Sequence, residues 1–540
     1  MLGQMMDRPL LLPQIMEHAA RNYRDQEIVS LTPEGAIHRY TYVDALKRIK
    51  QLSNVLTRMG IKKGDRVATI AWNTHRHFEI YYATAAIGAV CHTINPLLGP
   101  EQVAYVANHA EDKAMFFDTT FAPLVAPIAD YIPSIETYVA MTDDAHLPEF
   151  SKPGLAAYET LMAAESQEFE FPEFDERTAC GLCYTSGTTG NPKGVLFSHR
   201  SNYLHALTAN QSNVMGTGED GVLLAVVPMF HVNAWGVPYS IPMSGGKLVF
   251  PGPRLDGEGL YNIIEQEQCT ASLGVPTIWL GLINYMKENN KKFSSLQYSC
   301  VGGSAMSEYI LRTFQEDYGV EMYQGWGMTE MSPLGTVNRR SRNFDQLSED
   351  EQIAVQLKQG RAVSGVDMRI VGADGAVLPN DGMSSGHLQV RGPWIISEYY
   401  KYDGETLTAD GWFDTGDVAT IDEDGYMHIT DRAKDVIKSG GEWVSSIDIE
   451  NAALSHPGVA RAGVIGVYHE KWQERPLLVV VREPGTEATE AEIIDFLKGR
   501  LAKIALPNAV EFIDEMPLGA TGKILKTKLR EMFKDYRLSA

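Results

Sequence analysis

The segment Tyr184-Thr-Ser-Gly-Thr-Thr-Gly-Asn-Pro-Lys-Gly194 holds three glycines, four hydroxyl side chains (Thr185, Ser186, Thr188, Thr189) and one lysine, Lys193, in eleven residues. Glycines such as Gly187 let consecutive backbone N–H groups turn inward as an anion nest, and the hydroxyls and the ammonium add donors. That chemistry suits phosphate. It is not a Walker A loop, because Pro192 precedes the lysine and Gly194 follows it. Taken alone, such a stretch is also an ordinary surface loop between strands.

Other strings carry possible chemistry. In Tyr323-Gln-Gly-Trp-Gly-Met-Thr-Glu330, Gln324 and Gly325 lead into Trp326, and the flanking glycines let a flat ring stack on the indole. Thr329 and Glu330 offer a hydroxyl and a carboxylate suited to a phosphate and a hard cation. The bland reading is a core tryptophan beside a turn. Val301-Gly-Gly-Ser-Ala305, with Gly303 and Ser304, reads on spacing alone as another turn. Asp417 closes Gly411-Trp-Phe-Asp-Thr-Gly-Asp417, where a carboxylate could take both hydroxyls of a ribose or face solvent. His231, in Pro228-Met-Phe-His-Val-Asn-Ala-Trp235, follows a strand at the edge where α/β sheets place ligands. Lone histidines are more often structural. The charged run from Asp431 to Trp443 sits at a break in pattern, where a solvated linker is the usual meaning. Lys523, on the turn Pro517-Leu-Gly-Ala-Thr-Gly-Lys523, is by type a surface lysine.

Together, in this order, the strings resemble the acyl-adenylate-forming superfamily: acyl-CoA synthetases, peptide-synthetase adenylation domains and firefly-type luciferases. The likeness runs from about residue 10 to 530. It implies that the 184–194 loop holds the β and γ phosphates of ATP and that the Trp326 segment holds AMP, with Gly303 and Ser304 on the other adenine wall. It implies that Glu330, with Thr185, places Mg2+, that Asp417 and Arg432 meet the ribose, and that Lys523 is the catalytic lysine acting at the α-phosphate and the acyl carboxylate. His231 then borders the carboxylate and phosphates, and Trp235 gates the acyl tunnel. Asp431, Lys434 and Asp435 match the family hinge. Lys438, Gly440, Glu442 and Trp443 match the segment presented to the pantetheine arm of coenzyme A. The likeness is greatest to 3-methylmercaptopropionate-CoA ligases and to medium- or long-chain fatty-acyl-CoA synthetases, so a homodimer is expected. A luciferase-like oxidase and a non-catalytic nucleotide sensor are the rivals. A sensor would be expected to lack the lysine and the Mg acid; both are present.

The elements that must position these groups alternate helix and strand. Thr41 caps a helix with Leu46, Ile49, Leu52, Leu56 and Met59 on one face, stopped by Gly60. Strands are expected at Arg66 to Trp72, near Val90, at Lys113 to Asp118, Gly221 to Val227 and Lys247 to Phe250, with a helix through Tyr81 to Ile87. This is the grammar of an open, mostly parallel α/β sheet. From about Gly365 to Asp431 short strands between Gly and Asp turns indicate a β-rich subdomain. Beyond it, two apolar strands, a capping box Thr489-x-x-Glu492 and a further strand at Val510 to Ile513 indicate a small α+β lobe. The expected division is a lobe over 1–431 and a mobile one over 432–540.

Composition excludes several classes. With 47 basic and 69 acidic residues the net charge is −22, which disfavours nucleic acid and anionic membranes as partners. No apolar run approaches the roughly 18–20 residues that span a bilayer, and the Leu10–Leu12 triplet is flanked by Asp7 and Glu17 with no basic n-region ahead of it, so the cytoplasm is the expected compartment. Five scattered cysteines fit a reducing compartment. Cys180-x-x-Cys183 reads as two small residues on a buried strand rather than half a metal site.

Overall fold

The computed structural model describes residues 1, 3–152, 154–185, 191–439, 442–519 and 523–538, Glu442 and Trp443 by backbone only. Among these residues the strands form four sheets. The largest runs in the order Arg361–Ala362, Leu334–Val337, Glu321–Gly327, Tyr298–Val301, Ala271–Gly274, Val222–Ala225, Lys247–Phe250, Glu27–Leu31, Ile37–Thr41, and its six inner strands are parallel. A second, mostly parallel sheet runs Ala156–Ala157, Thr137–Ala140, Ala114–Phe117, Arg66–Ile70, Val90–Thr93, Ala179–Tyr184, Gly194–Ser198. An antiparallel sheet follows, of Asp367–Val371, Gly386–Arg391, Phe413–Ile421 and Met427–Arg432. The last sheet gathers Ile437–Ser439, Glu442–Val444, Val459–His469, Gln473–Arg482 and Ala509–Phe512 with the helices around them. The expected α/β architecture, β-rich subdomain and smaller α+β unit are all present.

Local signals explain the elements. Thr41 and Asp44 form a reciprocal capping box ahead of Tyr42–Arg58, which buries Ile49, Leu52 and Leu56, and Gly60 takes φ +83° beyond its end. Thr489 and Glu492 do the same for Glu490–Leu497. Val90–Thr93, Ala114–Phe117 and Ala271–Gly274 are buried at every position, as strands covered on both faces must be. Cys180 and Cys183 are buried on the strand Ala179–Tyr184, and burial pushes both thiols up. Among the described helices none is long and apolar enough to cross a membrane.

One expected strand is shorter. It stops at Ile70, because the carboxylate of Asp118 takes the Trp72 N–H at 2.7 Å and turns the chain into a helix that starts at His75 rather than near Tyr81. That helix, His75–Ala86, is buried along its whole length between the two large sheets. Its polar groups are met inside: Arg48 forks Glu79 at 2.7 and 3.1 Å, and the Tyr158 hydroxyl donates to Glu79 at 2.7 Å.

The buried helix also fixes a loop. Asn73 Nδ2 donates to the carbonyls of Ala225 (2.7 Å) and Val227 (2.8 Å), and its Oδ1 accepts from the Met229 N–H at 2.6 Å. The hydroxyls of Tyr81 and Tyr82 donate to the carbonyls of Met229 and Pro238. The chain from Ala225 to Pro238, which carries His231 and Trp235, is thereby tied to the second sheet. Asn73→Ala leaves three buried backbone groups without partners, at ~1–3 kcal/mol for such a loss. Its urea unfolding midpoint is expected to fall by the equivalent of about 3 kcal/mol; a wild-type midpoint would contradict this tie.

Candidate active site

The carboxyl ends of the parallel strands open into a cleft of about 2390 Å³, several times an ordinary small-ligand pocket of roughly 300–1,000 Å³. Three chain segments leaving the large sheet form its floor: Gly302–Ser304 after one strand, Gln324–Glu330 along the next, and Pro228–Trp235 after a third. The roof comes from the antiparallel sheet and the last hundred residues.

Asp417 is a buried acid at the centre of the site. It lies opposite Arg432 on the neighbouring strand, and the guanidinium Nε is 2.9 Å from its Oδ1. The Trp326 indole N–H donates to its Oδ2 at 3.1 Å. Burial pushes its carboxyl upward, while Arg432, the indole and Lys523 pull it down. Glu330, on the short turn Thr329–Met331, is also buried and its carboxyl is raised by burial. The Tyr399 hydroxyl donates to it at 2.8 Å.

Lys193 leaves the far side of the Gly/Thr-rich loop. Its ammonium lies 4.1 Å from the ring centre of Tyr402 and 4.7 Å from that of Tyr399, a double cation–π seat. The loop's ends are pinned to each other, since the Thr185 N–H donates to the Lys193 carbonyl at 2.9 Å and the Lys193 N–H to Thr185 Oγ1 at 3.3 Å. Ser186, Gly187, Thr188 and Thr189 lie outside the described residues.

The segment bearing His231 and Trp235 is strained. Val232, Asn233, Ala234 and Trp235 take φ of +43°, +58°, +47° and +55°, a left-handed run costing roughly 1–2 kcal/mol per residue for L-amino acids. Surroundings that over-determine the chain, here Asn73 and Tyr81, hold such strain at functional sites. The run lays the Trp235 ring over Gly302, where a Cβ would come within 2.7 Å of it. His231 is held near 4 by burial and by the charge of Lys523, so it is neutral at ordinary pH.

Lys523 comes from the C-terminal lobe. Its side chain is open to the cleft yet walled by protein, and burial, then Arg432, pull its ammonium down to about 8 against the attraction of Asp417 and Glu330. Its turn is closed by Gly519 N–H to Lys523 carbonyl at 2.7 Å, and the following helix is anchored by Lys526, 2.8 Å from Glu450. Between the lobes, Asp431 accepts from the Ser446 N–H (2.8 Å) and hydroxyl (2.5 Å), and Asp435 pairs with Arg530 at 2.6 Å. Lys434 lines the cleft, its ammonium pulled down by burial.

Seventeen of the residues singled out in the sequence, from Thr185 to Lys523, thus line one cleft. Lys438 does not: it is exposed, and its N–H donates to Glu474 at 2.9 Å. Gly440 lies outside the described residues; the backbone of Glu442 and Trp443 pairs with Ser439 and Lys438. Asn73, Tyr399 and Tyr402 were missed. Tyr399-Tyr-Lys-Tyr402 is a local aromatic run that could have drawn attention; Asn73 has no such signal.

Lys193 on its two tyrosine rings, the Trp326 indole, the buried carboxylates of Asp417 and Glu330, and Lys523 from the C-terminal lobe line one cleft. The chain matches the AMP-binding enzyme family over residues 16–400 and the AMP-binding enzyme C-terminal domain over 448–523. It is 49% identical over 535 residues to a 3-methylmercaptopropionyl-CoA ligase of Ruegeria lacuscaerulensis, covering 99% of each chain. It is 46% identical over 538 residues to a medium-chain-fatty-acid–CoA ligase of Ectopseudomonas oleovorans, covering 100% of this chain and 98% of that one. The fold matches ATP-bound MatB from Rhodopseudomonas palustris with a TM-score of 0.81 at 26% identity, over 97% and 99% of the two chains. The chain therefore belongs to the AMP-binding enzyme family. Within it, the protein is an AMP-forming acyl-CoA ligase.

Lys523 is expected to set a pH limit. Lowered from its ordinary 10.5 to about 8, it carries its charge below that pH and loses it above. Adenylation kcat/KM for ATP, which reports the free enzyme, is expected to fall as pH rises through about 8. Lys523→Arg, whose guanidinium stays charged, is expected to lose that alkaline limb in whatever activity remains. An unchanged limb would assign it to another group.

Proposed function

We propose that this enzyme activates a short- or medium-chain carboxylic acid, 3-methylmercaptopropionate or one of similar size, in two half-reactions. In the first, a carboxylate oxygen attacks the α-phosphorus of ATP and pyrophosphate leaves. Lys523, as a point cation on a long stem, stabilises the charge that builds on the α-phosphate oxygens. Lys193 and the Gly/Thr loop hold the leaving phosphates. Trp326, Gly303 and Ser304 hold the adenine, and Asp417 with Arg432 meets the ribose. Neutral His231 borders the carboxylate. In the second half-reaction the thiol of coenzyme A attacks the acyl carbonyl and AMP leaves.

The observation that carries this reading is the meeting of Lys523 with Arg432, Asp417 and Glu330 in one cleft, although they lie on different sheets and lobes. It is the arrangement adenylation needs, with Lys438 held outside. The second half-reaction then calls for the small lobe to turn about 431–435, withdrawing Lys523 and bringing Lys438 and Trp443 in.

Mg2+ fits the donors present. Glu330 and the Thr185 hydroxyl are hard oxygen ligands, and Mg2+ is usually held by one or two carboxylates plus substrate phosphates. Among the described residues no cluster of three or more His, Cys, Asp or Glu could cage a metal without the nucleotide. The ion would supply charge neutralisation of the phosphates.

Pocket shape supports a short acid. Gly302 and Gly325 leave the sheet without side chains beneath Trp235, and one row deeper, about 7 Å along the strands, Cys300 and Tyr323 put side chains into the groove's wall. In a pyrophosphate-release assay with and without coenzyme A, kcat/KM is expected to be highest for acids from butyrate to octanoate, 3-methylthiopropionate included. Preference for palmitate would move the enzyme to the long-chain group.

Lys523→Ala separates the halves. Acid-dependent ATP–pyrophosphate exchange should fall by about a thousandfold, a usual size for losing transition-state charge stabilisation. Thioester formation from supplied acyl-adenylate should survive. Equal loss of both would contradict this division of labour.

A further inference from the structure

The acyl groove proposed above has an end wall, and that wall has a brace. Along the adjacent parallel strands Tyr298–Val301 and Glu321–Gly327, Cys300 and Tyr323 are in register and face the groove. Tyr298 lies a further row along, its ring 5.9 Å from that of Tyr323. Opposite the sheet, Val214 and Met215, on the loop after helix His199–Ala209, close the same end.

Arg339 stands behind Tyr323, Tyr298, Val214 and Met215. Its guanidinium carbon is 4.1 Å from the Tyr323 ring centre and 5.6 Å from that of Tyr298. From the same fork, Nε donates to the Val214 carbonyl at 2.9 Å and a terminal nitrogen reaches the Met215 carbonyl at 3.5 Å. The Tyr298 hydroxyl completes the closure, donating to the Met215 carbonyl at 3.2 Å. Arg339 belongs to the chain leaving strand Leu334–Val337, so one side chain ties three segments across the groove's end. It is partly solvent-exposed, with 20% of its side chain accessible. On its outer side a terminal nitrogen lies 3.9 Å from the partly exposed Glu321.

We propose that Arg339 sets the length of acid this ligase accepts, by bracing Tyr323 against the 214–215 loop so that the acyl groove ends at that row. The inference rests on the acyl groove assigned above. A planar fork suits this role, because its face stacks on the tyrosines while its edge holds two carbonyls, which an ammonium on a flexible stem does not do. Without it, Tyr323 can swing and the loop can part. A longer chain then passes between them and ends in solvent. Arg339 touches neither nucleotide site nor reacting atoms; it is a positioning residue.

The test compares kcat/KM for butyrate, hexanoate, octanoate, decanoate and dodecanoate in wild type, Arg339→Ala and Met215→Ala, with KM for ATP and thermal midpoint measured alongside. Met215→Ala opens the wall from its other side and leaves the guanidinium in place, so it decides the matter should Arg339→Ala fail to fold. The expected result is a decanoate-to-butyrate ratio raised by about tenfold or more, the scale of discrimination available to a methylene-sized change in an apolar pocket, with KM for ATP unmoved. A ratio unchanged in the folded variants, or a uniform loss across all lengths, overturns the proposal. Wild-type turnover of none of these acids would instead overturn the groove's assignment.

Discussion

A carboxylate sealed from water must be met by donors or lose its charge. Asp417 is sealed, and it collects its donors from across the molecule: an indole N–H from the strand that ends in Trp326, a guanidinium from Arg432 at the lobe junction, and the field of Lys523 from the C-terminal lobe. Each of those groups has its own place in the proposed chemistry. Meeting one buried charge therefore draws the aromatic platform, the junction and the terminal lysine to one point. Burial, then the charge of Arg432, lowers Lys523 against the pull of Asp417 and Glu330, which leaves it a cation near neutrality that gives up its proton more readily than a surface lysine.

The rest of the scaffold serves that meeting point. A fully buried helix locks two large sheets together, and its hydroxyls, with Asn73, hold the left-handed run that aims His231 and Trp235. Among the described residues, hydrogen-bonded charges tie the junction, Asp431 to Ser446 and Asp435 to Arg530. Such pairs contribute little net stability, so exchanging them in the proposed lobe rotation costs less than opening a packed core.

Much of this was legible in the sequence, and the reason is locality. The helix cap at Thr41, the capping box at Thr489, the buried strands around Val90 and Ala114, and the Gly/Thr-rich loop are all strings read within a few residues. The family resemblance placed the candidate residues along the chain, and most of them do line one cleft. What escaped depends on distant contacts. Asn73 bonds residues about 150 positions away, and Arg339 reaches back to Val214. Neither residue type nor spacing announces such a role. Groove depth was equally hidden, because it turns on which sheet face Cys300 and Tyr323 share and on what stands opposite. Lys438 was legible as a cation, but its exposure outside the cleft follows from lobe placement.

The central claim is that the carboxylate itself attacks the α-phosphorus. One measurement tests it directly: a single turnover with a carboxylic acid labelled with heavy oxygen, followed by mass analysis of the nucleotide and phosphate products. The account predicts one labelled oxygen in the phosphate of AMP, none in pyrophosphate, and the remaining label in the thioester carbonyl. Label in pyrophosphate or orthophosphate, or the appearance of ADP, would contradict it.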